Sequence, residues 1–118
     1  MQDYDGAMAI DHQELLARNE TLFRELNERI NAVAGTLGGD DHAYEFVCEC
    51  SDSHCTQRLT LTRSEYEHVR ADPTRFVLAR GHSTPEIEHV VDHEDDHLVI
   101  EKVGVAADVA IRLDPRTA

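Results

Sequence analysis

A chain of 118 residues is about one domain, and its 24 Asp and Glu against 11 Lys and Arg leave a formal charge of −13. Such a surface repels a phosphate backbone, so no nucleic acid is expected as a partner. No run of 18 apolar residues offers a membrane span. The acidic start, Met1-Gln-Asp-Tyr-Asp5, lacks the basic-then-apolar layout of a secretion signal, and the expected compartment is the cytoplasm.

Residues 1–10 are expected to fray, with Asp11 capping the helix that follows. That helix should run from His12 to Ala34, since it is rich in good formers, contains neither Pro nor Gly, and meets Gly35 as a stop. Leu16, Phe23, Ile30 and Leu37 recur every seven residues; Leu26 and Val33 fill the alternate seam position, which Asn19 shares as a polar member. Leu15 and Leu22 widen the stripe. It reads either as cover for the chain's own core or as a seam for self-association or a protein partner, with Leu16, Phe23, Leu26 and Ile30 as the interaction candidates. Residues 35–42, with Gly38-Gly39-Asp40-Asp41, read as a linker between a helical arm (1–38) and a second region (39–118), together expected to form one compact unit.

A strand is expected at Tyr44–Cys48 and another at Gln57–Leu61, paired as a hairpin around a Ser- and Asp-rich turn. Thr62-Arg-Ser-Glu65 is a capping box that opens a short helix, Arg63–Ala71, ended by Asp72-Pro73. Arg75–Ala79 reads as a third strand and Gly81-His82-Ser83 as a turn. Residues 87–103 read as a second hairpin with an acidic tip, although Pro85 could open a short helix there instead. A last short helix is expected around Val105–Ala110. The fold class is therefore α+β: a long N-terminal helix, a small antiparallel sheet and one short helix.

All three cysteines fall within Cys48-Glu-Cys50-Ser-Asp-Ser-His54-Cys55. An odd number of thiols suits a disulfide framework badly, whereas clustered thiols in a reducing compartment suit a metal. Zinc takes four ligands in a tetrahedron and favours thiolate and imidazole. A hairpin tip can turn Cys48, Cys50 and Cys55 to one point. The strand–helix–strand passage after it returns the chain at Gly81-His82, where glycine permits close backbone approach, so His82 is the expected fourth ligand ahead of His54 and His42. The polar neighbours Glu49, Ser51, Asp52 and Ser53 argue against simple burial of the thiols. Four protein ligands make one closed, structural zinc site per chain. The H-x-E with P-C-x-x-C pattern of zinc deaminases is absent, and His93-Glu94-Asp95-Asp96-His97, though spelled H-E-x-x-H, falls at an expected hairpin tip rather than on the helix that the metalloprotease pattern needs. His89, His93 and His97 recur every four residues among acids, a weaker metal pattern that is more simply a solvated hairpin tip.

Ala17-Arg-Asn-Glu20, Phe23-Arg-Glu-Leu-Asn-Glu-Arg-Ile30, Phe46-Val-Cys-Glu-Cys50, Cys55, Ala71-Asp-Pro-Thr-Arg-Phe-Val77 and Gly81-His82 resemble a group of small uncharacterised bacterial proteins. The resemblance covers roughly residues 14–103. In that group the Cys-x-Cys, the following Cys and the Gly-His recur as a set, which implies His82 as fourth zinc ligand. It implies no activity.

The function expected from these readings is a non-enzymatic, zinc-stabilised module that binds a protein partner or regulates one. Two alternatives remain open: a redox switch, in which oxidation of Cys48, Cys50 or Cys55 to a disulfide releases zinc, and a zinc enzyme with an open coordination position.

Overall fold

The computed structural model describes residues 12–38 and 41–116; the fraying expected of residues 1–10 and the expected Asp11 cap fall outside the described residues. Helix α1 spans His12–Ala34, carries Glu14 in its first turn where the positive end of the helix dipole favours it, and closes with the Gly35 N–H donating to the Asn31 carbonyl. Strands β1 (Ala43–Val47) and β2 (Arg58–Thr62) follow, then helix α2 (Arg63–Arg70), β3 (Arg75–Leu78), β4 (Glu88–His93), β5 (Leu98–Lys102) and helix α3 (Gly104–Arg112). The capping box of α2 is formed: the Glu65 N–H donates to the Thr62 hydroxyl, and the Glu65 carboxylate accepts from the Thr62 N–H. The stretch after Pro85 is a turn rather than a helix, closed by the Ile87 N–H on the Thr84 carbonyl.

The strands form two antiparallel sheets where one was expected. One is the β1–β2 hairpin, with Phe46 opposite Leu59; the other has the order β3-β5-β4, with Phe76 opposite Ile100. A register shift between Val90 and Asp92 marks a bulge in β4; His89 and His93 are exposed, whereas His97 is buried. The chain beyond β1 joins the two sheets. The Cys48 N–H still donates to Gln57 on the hairpin side, and the next residue, Glu49, donates its N–H to the Val77 carbonyl of β3. The cysteine segment therefore runs along the seam between the sheets.

The main core lies between the sheets and α2. Phe46 stacks on Tyr66 at 4.7 Å between ring centroids, with Leu59, Leu61, Phe76, Leu78 and Ile100 packed around them. Each such side chain contributes about 2 kcal/mol on burial. A second cluster, Ala17, Ile87, Ala106 and Val109, lies where α1 meets α3.

Helix α1 lies against the domain by its polar face. Its buried residues are Ala17, Glu20, Thr21, Arg24, Asn27, Asn31 and Ala34, recurring at steps of three or four with Thr21 beside Glu20, which is one continuous face of a helix. Arg24 donates to the Pro73 and Ala110 carbonyls at 2.6 and 2.7 Å, with its guanidinium 4.4 Å over the Phe76 ring. Lys102, the chain's single lysine, is buried between the carboxylates of Glu20 and Glu88. Arg70 of α2 holds Glu28 and Asp114 at 2.5 Å each. Asn31 links to Glu67 and Arg63 of α2.

The apolar stripe lies mostly outward. Leu15, Leu22, Leu26, Val33 and Leu37 are 42–72% exposed. Leu16 and Ile30 are half-buried against the two clusters, and Phe23 is half-buried too. The stripe therefore does not furnish the buried face of α1. Asn19 reaches into its own domain, donating to the Ser51 carbonyl at 2.9 Å.

Candidate metal centre

Cys48, Cys50, Cys55 and His82 come together, each offering one ligand atom and all four atoms within 4.8 Å of one another. Among the described residues no other group of His, Cys, Asp and Glu converges in this way. Three local devices build the site. Cys48 and Cys50 are one residue apart on extended backbone, so their side chains leave it on the same side. A turn brings Cys55 back, with its N–H donating to the Asp52 carbonyl at 3.0 Å and the His54 N–H to the Asp52 carboxylate at 2.9 Å. The third device is the turn after β3, closed by the His82 N–H on the Ala79 carbonyl. Gly81 takes its third position at φ 82°, the value a type II turn requires there. Nothing lies within 4 Å of a Cβ built on Gly81. This glycine is thus needed for its positive φ, not for the close approach expected from the sequence.

The distances fit a metal. The His82 Nδ1 lies 3.6 Å from the sulfurs of both Cys48 and Cys55. A tetrahedron with zinc–sulfur bonds of about 2.3 Å and a zinc–nitrogen bond of about 2.1 Å has sulfur-to-nitrogen edges of about 3.6 Å. The Ala79 N–H donates to the Cys48 sulfur at 3.1 Å, the kind of outer hydrogen bond that orients a thiolate ligand and steadies its charge. The thiols also share their protons unequally. Cys50 is held down to about 5 by the hydrogen bond from the Cys48 thiol, then by that from His82. Cys48 is pushed up by its bond to Cys50 and by burial. The hydrogen-bonded thiols thus favour loss of a first proton from the group, and an anion among convergent donors is what a divalent cation needs.

The rival histidines are elsewhere. His54 is 95% exposed and turned to Asp52; His42 sits before β1 with its ring against Tyr44. His97 is buried, with its ring bonded to the Asp96 carboxylate at 2.8 Å. The polar setting expected around the thiols is only partly present. Cys48 and Cys50 are buried within the main core, and Glu49 between them is fully buried.

Glu49 is the residue that sequence reasoning missed. Its carboxylate accepts from the Asn27 side chain at 2.8 Å, the Tyr66 hydroxyl at 2.9 Å and the Val77 N–H at 3.0 Å. Burial pushes its pKa up, and these donors pull it back. A signal for it was present: in Cys-x-Cys on an extended chain the middle residue must point away from the metal, into whatever covers the other side.

Two surface cavities lie apart from the four residues. One, of about 280 Å³, is bordered by Ser64, Glu65, His68, Asp92, Glu94 and His97. The other, of about 350 Å³, lies between the end of α1 and β1, beside Ile30, Val33, Leu37 and Tyr44. No described helix is long and apolar enough to cross a membrane. No family model, curated protein or solved structure matches the chain, so the geometry of Cys48, Cys50, Cys55 and His82 stands as the support for a metal-binding group.

Proposed function

We propose that Cys48, Cys50, Cys55 and His82 bind one structural zinc ion, and that the protein is a non-enzymatic module that pairs with a second copy of itself along the outward face of α1. The observation that carries the metal reading is the convergence of three thiols and one imidazole within 4.8 Å. Three sulfurs and a nitrogen favour zinc over the hard, oxygen-seeking cations. With every position filled by a side chain, none remains for substrate or activated water. Zinc would supply folding free energy on the order of 10 kcal/mol to a small core.

Pairing is supported by the outward stripe and by charge. Leu15, Leu22, Leu26 and Val33 make an apolar seam along a helix about 34 Å long, with Leu37 in the turn just past its end. Two chains of charge −13 should repel, yet α1 carries four acidic and three basic residues, with Arg18, Glu25 and Arg29 beside the seam. The repulsion is therefore weakest where the stripe lies.

Metal content and native mass, on protein purified without added metal and beside a His82→Ala variant, test both parts. One zinc per chain, lost or weakened in the variant, is expected; a metal-free protein that is fully folded would overturn the metal reading. A mass that rises from 13.3 kDa towards twice that with concentration is expected. A chain that stays monomeric at several hundred micromolar, or pairs only with some other protein, would overturn self-pairing.

A further inference from the structure

The segment that carries the first two thiols has two working sides. Cys48 and Cys50 face the metal group. Glu49, the residue between them, turns its carboxylate to Asn27 of α1, and α1 also holds the backbone groups of Val47 and Ser51. This is the alternation of an extended chain applied to two tasks at once. The side chain of Asn27 clasps Val47 by both backbone groups: its amide donates to the Val47 carbonyl at 2.8 Å, and its oxygen accepts from the Val47 N–H at 2.8 Å. The same amide donates to the buried Glu49 carboxylate, and two turns earlier Asn19 donates to the Ser51 carbonyl. Helix α1 thus holds residues 47, 49 and 51 in turn.

We infer that α1 is part of the metal centre: Asn27 and Asn19 are positioning residues that fix the backbone on which Cys48 and Cys50 sit, so that the bound metal and the docked helix strengthen each other. The inference rests on the reading of the four residues as a zinc site and adds to it a helix that contributes no ligand. The physical basis is preorganisation. Thiols on a backbone already held in the ligating shape lose less freedom on binding, and groups that orient ligands through hydrogen bonds typically change metal affinity 10–100-fold. Linkage makes the effect reciprocal: what helix docking adds to zinc affinity, zinc adds to helix docking. Because the seam proposed for pairing is the other face of the same helix, zinc would also hold that seam in place.

The test uses the full chain and zinc alone as probe, read by competition with a chromophoric chelator. Asn27→Ala is expected to weaken zinc binding 10–100-fold. Leu22→Ala on the outward face should stay within twofold of wild type, and Val109→Ala, which loosens the α1–α3 packing that docks the helix, should weaken zinc binding less than Asn27→Ala does. Hydrogen exchange on the wild-type chain supplies an arm that needs no variant. Stripping zinc should lower protection of amides in residues 12–34 more than in β3 and β5, and restoring zinc should return it. Zinc affinity unchanged in Asn27→Ala, or helix protection indifferent to zinc, would overturn the coupling while leaving the zinc site intact. A wild-type chain that takes up no zinc would overturn both.

Discussion

Along its inner face α1 presents Glu20, Arg24, Asn27 and Asn31; along its outer face, Leu15, Leu22, Leu26 and Val33. The inner face is polar and buried, the outer face apolar and wet. The usual helix of a small domain does the reverse. The difference lies in what each face can specify. An apolar stripe on an apolar surface tolerates sliding by a turn. Arg24 on two carbonyls and Asn27 on both backbone groups of Val47 fit one position only. Polar burial of this kind adds little net free energy when complete and costs much when broken. In this protein the inner face serves for exact placement, and the apolar surface is left exposed.

The sharpest way to break this comparison is Arg24→Ala. It strands the Pro73 and Ala110 carbonyls and empties the space over Phe76, so a loss of about 3–5 kcal/mol in unfolding free energy is expected from urea denaturation. A loss under about 1 kcal/mol would mean that polar contacts do not hold the inner face. Tyr66→Phe removes one of three donors to the Glu49 carboxylate and should cost about 1–2 kcal/mol by the same measurement, with no change in native mass. On the outer face the effects should separate. Leu22→Glu is expected to leave dilute stability within about 0.5 kcal/mol of wild type. It should raise the dissociation constant for pairing at least tenfold, about 1.4 kcal/mol, by sedimentation equilibrium. Equal damage to stability would place Leu22 in the chain's own core.

The smallest expected effect concerns acid. Arg116 hydrogen-bonds the Glu67 carboxylate of α2 and holds its pKa below the usual 4.5. The folded chain then binds fewer protons at Glu67 than the unfolded chain does. This contribution is whole above about pH 4.5 and is lost as the pH falls through the lower, folded value. The pair is partly exposed, so Glu67→Gln should cost about 0.5 kcal/mol at pH 7 and nothing near pH 2, by denaturation at the two pH values.

Much of this architecture was legible from local signals. Gly35, the Thr62–Glu65 capping box and Asp72-Pro73 mark where helices begin and end, because a cap or breaker acts on its own neighbours. The convergence of Cys48, Cys50, Cys55 and His82 was legible because three thiols within eight residues call for a fourth donor, and Gly81-His82 follows the next strand. The orientation of α1 was not. Periodicity finds the apolar face of a helix but does not say which face meets the domain. The groups that decide it are far off in sequence: Arg24 reaches Ala110, Asn31 reaches Glu67, and Glu20 meets Lys102. Glu49 was misjudged for the same reason, since its donors come from α1, α2 and β3. The division into two sheets likewise depends on Glu49 turning from the hairpin to Val77.

The alternation of residues 47–51 bears on how errors in folding are caught. A slip of one residue in this segment would turn Glu49 towards the ion and two sulfurs towards α1. The slipped chain would offer Cys55 and His82 with a carboxylate, a poorer set for zinc, and it would present thiols to Asn27, whose amide needs oxygen acceptors. One mistake thus forfeits both stabilising partners together, so the correct register is separated from its nearest competitor by a double penalty. A zinc ion held as proposed would work as a proofreader of strand alignment as well as a staple.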